Sequence, residues 1–491
     1  MRSRFRHLFK NKALLLALLF WVLSVTGGIV FPQAIIAFLN RTNARVLQVF
    51  GTYYLVFGFV VVGLSALLML LPLSRKRLGS GKAEYSRFSW IALLYSTGMG
   101  SGLLLRAVQE PIYYYRYPPV SHIGPEQLAL QYTFFHWGFT PWAMYSLFGL
   151  MVAWQLYIKK KGNIAQAVLP GSQNKTGVRI THLFIILITL VGVVASLGLG
   201  AGQFIGGLKV IFGWSIGDKG LLLTVFGVGL MATVSALTGI QKMIRYLADF
   251  DLALSICLML FVALFLSGSA SLDTTLQAFG TYLVHFAEMS LSIGDYRASK
   301  AFTEDWTVFY WAFWLAWVPF TGIFIARISK GRTIREFLFA TIIVPAMATM
   351  LWFSVFANKA IALMQQGGSY AGEYEDLFTS LYHFLYQLPL GSITVTITAV
   401  LVLIAILNSV DSAIFVLAMF SDHGNINPAP VHKLAWGIII TATSLGISAL
   451  GSDALLNAIS KLLIIMALPF SILYGWQILR FLYQTINERK K

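Results

Sequence analysis

Apolar runs dominate this chain, broken by short polar loops. Twelve of them approach or exceed the ~20 residues that carry a helix across a bilayer. They fall at about residues 13–38, 51–72, 88–110, 131–157, 181–211, 220–240, 246–268, 306–327, 336–358, 391–419, 432–450 and 454–480. Residues 270–304 are mixed and partly amphipathic, which predicts a helix lying on the membrane surface. The pattern predicts an all-α membrane protein with twelve transmembrane helices. The first apolar run is long and lacks a small-residue cleavage site, so it reads as a span rather than a cleaved signal.

The polar loops give the orientation. Of the 36 Lys and Arg, 26 lie on the side that twelve spans assign to both termini. They include five in residues 2–12, five in 72–87, five in 159–179 and four in 327–335. Eight lie on the opposite side, and Arg106 and Lys461 fall within spans. The positive-inside rule therefore predicts cytoplasmic N- and C-termini in a cytoplasmic (inner) membrane. The same asymmetry explains the net charge of +17 without nucleic acid, because the basic loops face the cytoplasmic leaflet. With 57% hydrophobic and 11% charged residues, one large helical bundle is expected. The single cysteine, Cys257, excludes an internal disulfide and a cysteine metal cluster. No HExxH, P-loop or Ser–His–Asp spacing appears, so an enzyme has little support.

The stretch WTVFYWAFWLAWVPFTGIFIAR, Trp306 to Arg327, is the chemical centre of the chain. Trp311 and Trp314 are three apart and share a helical face. Phe313, Trp317 and Phe320 make an adjacent stripe. One reading is aromatic core packing. The other is a site for an organic cation, which binds over ring quadrupoles at about 0.5–2 kcal/mol per contact. A lipid-interface belt places rings at helix ends, whereas these run through the middle.

Two further motifs bear on that choice. Gly98, Gly100 and Gly102 interrupt the third span at its centre. They serve either close helix packing or a discontinuous helix whose backbone offers amides and carbonyls to a ligand. Met99, Leu103, Arg106 and Glu110 follow on one stripe. An intramembrane charge raises a functional hypothesis; the plainer reading is an Arg106–Glu110 pair. In the fourth span, FFHWGFTPWAMYSLFG places Trp142 and Tyr145 on one face, with Trp137 just before them and Pro141 suited to a first helical position. His136 is expected to be a structural hydrogen-bonding group rather than a metal ligand.

At these residues the chain resembles the betaine/carnitine/choline transporter family. GMGSGLLLRAVQEP, FHWGFTPWAMY and FYWAFWLAWVPFTGIFIARISKGRTIREF carry the likeness, which follows span order along nearly the whole chain. The resemblance implies a LeuT-like fold of two inverted five-helix repeats behind two extra N-terminal helices. On that scheme 1–87 holds the N-terminus and accessory helices, 88–268 the first repeat, 269–305 the surface segment, 306–480 the second repeat and 481–491 the tail. It also implies a homotrimer, and alternating-access transport of a small quaternary-ammonium zwitterion of the glycine betaine, carnitine or choline type. Carried over by position, the substrate box falls on Trp137, Trp142, Tyr145 and Trp314, with Met99 below. Amides of the Gly98 and Gly100 segment would hold the substrate carboxylate. Trp317 matches a second aromatic site, where Phe313 replaces the usual Trp. Arg106 stands where the family usually has an aromatic residue.

The resemblance leaves coupling open. A sodium site would draw on Ser96, Met99, Asn408 and Ser409, but Asn408 holds the usual Thr position and Ala405 replaces an aromatic. Asp249 and Asp251 stand where the family tends to have Asn, and the residues themselves suggest acids at a helix N-terminus. Sodium symport and sodium-independent substrate/product exchange both fit. No other cofactor is expected. The short polar segments outside the first and last spans predict weak osmotic activation. A channel or sensor is the rival from another class, and saturable, countertransport-stimulated uptake would separate them.

Overall fold

The computed structural model describes residues 12–98, 102–161, 167–168, 175–238, 241–266, 268–366, 371–422, 424–425, 427–450 and 452–489. Among these its regular structure is all helical, with one isolated bridge between Arg77 and Thr333. The helices are α1 (Lys12–Val30), α2 (Pro32–Leu70), α3 (Arg87–Gly98), α4 (Gly102–Arg106), α5 (Gln109–Arg116), α6 (Pro125–Trp137) and α7 (Phe139–Ala153). Next come α8 (Lys175–Phe212), α9 (Gly217–Thr238), α10 (Gln241–Ala263), α11 (Gly268–Val284), α12 (Phe286–Leu291) and α13 (Phe309–Ile328). The last are α14 (Ile334–Leu338), α15 (Val344–Gln366), α16 (Ser380–Tyr386), α17 (Gly391–Ser421), α18 (Pro430–Ser448) and α19 (Ser452–Arg489). A π-helical turn, Thr303–Val308, leads into α13, and another, Phe339–Ile343, joins α14 to α15.

Among the described residues, eight helical stretches are long and apolar enough to cross a membrane. The predicted first and second spans meet differently from expectation. The chain breaks at Phe31, and Pro32 restarts a single 39-residue helix through residue 70. Proline suits a first helical turn because its missing N–H is not needed there. Residues 39–50 then contain no Gly or Pro to stop the helix. The third span is divided at Ala107–Val108. Pro111 explains that break, since its ring excludes the carbonyl four residues earlier and it has no N–H to donate. The fourth span is divided at Gly138, whose φ of −87° and ψ of −123° interrupt the helical backbone. The Phe139 amide beyond it donates to the Tyr282 hydroxyl of α11 at 3.2 Å. Asp249 and Asp251 correct another expectation: they are the ninth and eleventh residues of α10, well past its first turn.

Outer helices turn bulky apolar side chains outward, among them Leu67 and Leu70 on α2, Leu223 and Phe226 on α9, and Leu479 on α19. In water such a surface would be a liability; against lipid it is the expected lining. The interior belongs to α8 and α13, whose most apolar windows are each 83% buried, against 39% for α2. Glycines let α13 lie close to its neighbours. A Cβ on Gly149 of α7 would come within 2.9 Å of the Gly322 carbonyl oxygen. One on Gly192 of α8 would meet Ala316 at 3.1 Å. Small residues at such crossings let membrane helices pack by backbone approach.

One end of the bundle is fastened by its basic loops. The Leu78 amide donates to the Arg332 carbonyl at 2.8 Å, and the Gly331 amide to the Leu78 carbonyl at 2.8 Å. Gly331 has φ +82°, which favours glycine. Arg332 donates to the Tyr85 carbonyl at 2.6 Å and lies over Trp90 at 4.6 Å.

Candidate functional site

The site forms where α6 ends, α7 begins and α13 crosses both. Trp137, Trp142, Tyr145 and Trp314 meet there, all nearly inaccessible. Trp137 and Trp314 have ring centroids 4.9 Å apart at 76°. Tyr145 and Trp314 are 6.4 Å apart at 87°, and Trp142 and Tyr145 are 5.8 Å apart at 89°. Adjoining walls of a box meet in this way, near right angles. Gly102 approaches one wall: a Cβ there would lie 3.3 Å from the Trp137 ring.

Hydrogen bonds set two of the three indole walls. The Trp314 indole N–H donates to the His136 carbonyl at 3.0 Å. The Trp137 indole N–H donates to Glu110 Oε2 at 2.9 Å. Glu110 is fully buried, and its Oε1 accepts from Tyr114 at 3.0 Å while Tyr310 bonds closely to Oε2. His136 extends the network: Nδ1 lies 2.8 Å from the Tyr114 hydroxyl and Nε2 lies 3.1 Å from Thr307 Oγ1. If Tyr114 donates to Glu110, then His136 Nδ1–H donates to Tyr114 and Thr307 donates to Nε2. His136 thus takes the hydrogen-bonding place expected of it.

The α13 stretch sorts its rings differently from the two stripes expected. Trp306, Tyr310 and Trp314 form the stripe toward the site, with centroids 6.3 and 5.8 Å apart. Trp311 instead packs on Phe135 at 5.2 Å, away from that stripe. Trp317 is half-buried one turn beyond Trp314 and packs on Phe320 at 5.8 Å, at 74°. Arg106 is half-buried above Trp306, 5.1 Å from its ring, and donates to Gln109 Oε1 at 2.6 Å. Of the two readings left open for Arg106, the structure does not form the pair with Glu110: among the described contacts Glu110 binds Tyr114, Trp137 and Tyr310, with His136 Nδ1 at 3.7 Å. The carboxylate already has three donors, and Gln109 is nearer to Arg106 in sequence.

The sodium-site candidates divide. Met99 and Gly100 lie outside the described residues, as do the side-chain surroundings of Ser96 and Gly98. On α17 the Asn408 amide oxygen is buried without a hydrogen-bond partner, while Ser409 Oγ donates to the Ala405 carbonyl at 2.8 Å. A bare amide oxygen and a hydroxyl are oxygen groups of the kind a hard cation takes as ligands. Among the described residues no cluster of three His, Cys, Asp or Glu side chains could hold a metal. Asp411 is also buried on this helix, with Oδ1 unpartnered.

Sequence reasoning missed Glu110 as an anchor of Trp137, and missed Tyr310 and Tyr114 beside it. The spacing of Trp306, Tyr310 and Trp314 at i, i+4, i+8 was the available signal.

A helical membrane protein with a buried aromatic box beneath interrupted helices has the build of a small-molecule transporter. Comparison with known proteins makes this specific: the chain belongs to the BCCT family, the betaine/carnitine/choline family transporters, whose model matches residues 12–490. It is a multi-pass membrane transporter and not an enzyme. It is 34% identical to glycine betaine transporter OpuD of Bacillus subtilis, over 96% of this chain and 94% of that one. It is 32% identical to glycine betaine transporter 1 of Vibrio parahaemolyticus, over 88% and 85%. It is also 32% identical to the ectoine/hydroxyectoine transporter of Virgibacillus pantothenticus, over 86% of each. Among solved structures, the substrate-bound outward-open state of a Na+-coupled sialic acid symporter matches with TM-score 0.50 over 86% of each chain, at 13% identity. That likeness concerns the fold alone.

Proposed function

We propose that the chain is a secondary transporter of a glycine betaine-type zwitterion, working by alternating access around Trp137, Trp142, Tyr145 and Trp314. The observation that carries this reading is the four-ring box, buried at the junction of α6, α7 and α13. Electron-rich faces at right angles suit a trimethylammonium head, which offers methyl-borne positive charge and no hydrogen-bond donor. The relatives named for glycine betaine support that substrate class, and the one named for ectoine and hydroxyectoine widens the range to be tried.

In this reading the eight long helices, α1, α10 and the interrupted third and fourth spans make twelve crossings, with both termini cytoplasmic. Two inverted five-helix repeats, 88–268 and 306–480, follow the accessory helices. The surface segment 269–305 lies between them. Substrate carboxylate meets the glycine-motif amides, and Trp317 forms part of a second aromatic site. Sodium is the coupling ion through Asn408 and Ser409, together with Ser96 and Met99. The transporter assembles as a homotrimer, which mass measurement in detergent or crosslinking in membranes tests.

Uptake of radiolabelled glycine betaine into proteoliposomes tests the whole reading. A sodium gradient should drive accumulation. Uptake indifferent to sodium but dependent on internal substrate would establish exchange instead. Failure to bind or carry any quaternary ammonium compound would refute the substrate class.

A further inference from the structure

We propose that Glu110 is the buried anion behind the aromatic box, and that it acts through the Trp137 ring to favour a cationic substrate. The inference rests on the box reading above and deepens it by assigning a source to the charge preference.

Glu110 is fully buried, its carboxylate accepts from three donors, and His136 Nδ1 lies 3.7 Å from Oε1. Tyr114, Trp137 and Tyr310 point N–H or O–H groups at its two oxygens. Three convergent donors are what an ionised carboxylate takes, since it can only accept. Through Tyr114 the network continues to His136 and Thr307, at 2.8 and 3.1 Å. The groups facing Glu110 are Tyr114 on its own helix, His136 and Trp137 of α6, and Tyr310 of α13. The nearby cation is Arg106, held by Gln109 and Trp306 instead of by the carboxylate.

Trp137 faces both ways. Its indole N–H ends on Glu110 and its ring forms a wall with Trp314. A negative acceptor on an indole N–H pushes electron density toward the ring face, and the charge itself attracts a cation across the ring. At an effective dielectric constant of about 20, a unit charge one indole ring away changes binding by roughly tenfold or more. Glu110 does not touch the substrate in this scheme; it is a positioning residue that also sets the field.

The test compares glycine betaine with its carbon isostere 3,3-dimethylbutanoate, which has the same shape without the positive charge. Dissociation constants come from tryptophan fluorescence of the full-length purified protein. Glu110→Gln keeps the size and an acceptor for Trp137 but removes the charge. The expected result is betaine binding weakened about tenfold, with the isostere changed less than twofold. Equal weakening of both ligands overturns the proposal, because Glu110 would then only prop the ring; so does no change in either. If Glu110→Gln does not fold, Glu110→Asp decides: it keeps the charge and must keep the betaine-to-isostere ratio within threefold of wild type. A collapsed ratio in that variant overturns the proposal. Wild-type protein that prefers betaine no more than the isostere refutes the cation-box reading itself, before any variant is made.

Discussion

Removing one wall of the box at a time separates binding from scaffolding. Trp142 and Trp314 are both nearly buried and both line the box, so each substitution by Ala removes one ring face from the bound cation. A desolvated cation–π contact contributes about 2 kcal/mol, or roughly thirtyfold in Kd. The two differ in what else they hold. Trp314 donates to the His136 carbonyl at 3.0 Å, and no comparable bond is described for Trp142. Trp314→Ala leaves that buried carbonyl unpaired, which costs about 1–3 kcal/mol of stability. Both variants should therefore lose transport and bind betaine about thirtyfold more weakly, while Trp314→Ala should also melt lower than Trp142→Ala. Fluorescence titration, thermal unfolding in detergent and liposome uptake measure the three quantities. Wild-type affinity in either variant refutes the box. Equal melting temperatures refute the role given to the Trp314–His136 bond.

Three further outcomes follow from the same geometry. Arg106→Phe should lower the ratio of betaine to choline affinity roughly tenfold, since the guanidinium is free of Glu110 and can meet an anionic substrate end by a charge-assisted bond; an unchanged ratio, read by competition binding, leaves Arg106 a partner of Gln109 and Trp306. Gly322→Ala should destabilise the protein by about 1–3 kcal/mol, because its Cβ would stand 2.7 Å from Phe148 and 3.1 Å from the Tyr145 carbonyl oxygen; thermal unfolding measures it. Pro111→Ala should let the helix close across Ala107–Val108, displacing Glu110 and weakening betaine binding at least several-fold; wild-type binding would show that the break does not set the site.

Most of the fold was legible because apolar length and loop charge act locally along the chain. Among the described residues eight of the predicted apolar runs appear as helices long enough to cross a membrane, and Trp314 of the aromatic stretch packs on Trp137. The errors come from what a one-dimensional pattern omits. Asn and Arg at 40–45 looked like a loop, yet a helix that leaves the bilayer tolerates polar residues when no Gly or Pro stops it. The Arg106–Glu110 spacing left a pair and a pathway-facing Arg106 both open; the carboxylate goes where three buried donors converge, and two of those come from distant helices. Choosing Trp311 and Trp314 as one face ignored the i, i+4, i+8 alternative through Tyr310. Which stripe looks inward is decided by the helix crossings at Gly149 and Gly192, far away in sequence.

The two helix interruptions explain why the box can exist inside a densely packed bundle. A helix that ends leaves carbonyls without amide partners. Because α6 stops at Trp137, the His136 carbonyl is available to the Trp314 indole, which fixes one wall. Because Pro111 breaks the third span, α5 starts afresh at Gln109 and places Glu110 in its first turn, where the helix dipole favours an acid. That acid fixes the second wall through Trp137. Tyr145 and Trp142 then follow from the first turns of α7, restarted by Gly138 and tied to α11 through Tyr282. Each wall thus depends on a backbone break or on a group the break exposes. An unbroken pair of spans would satisfy its own carbonyls and leave neither indole an anchor. The interruptions that weaken these helices as membrane spans are the features that orient the rings.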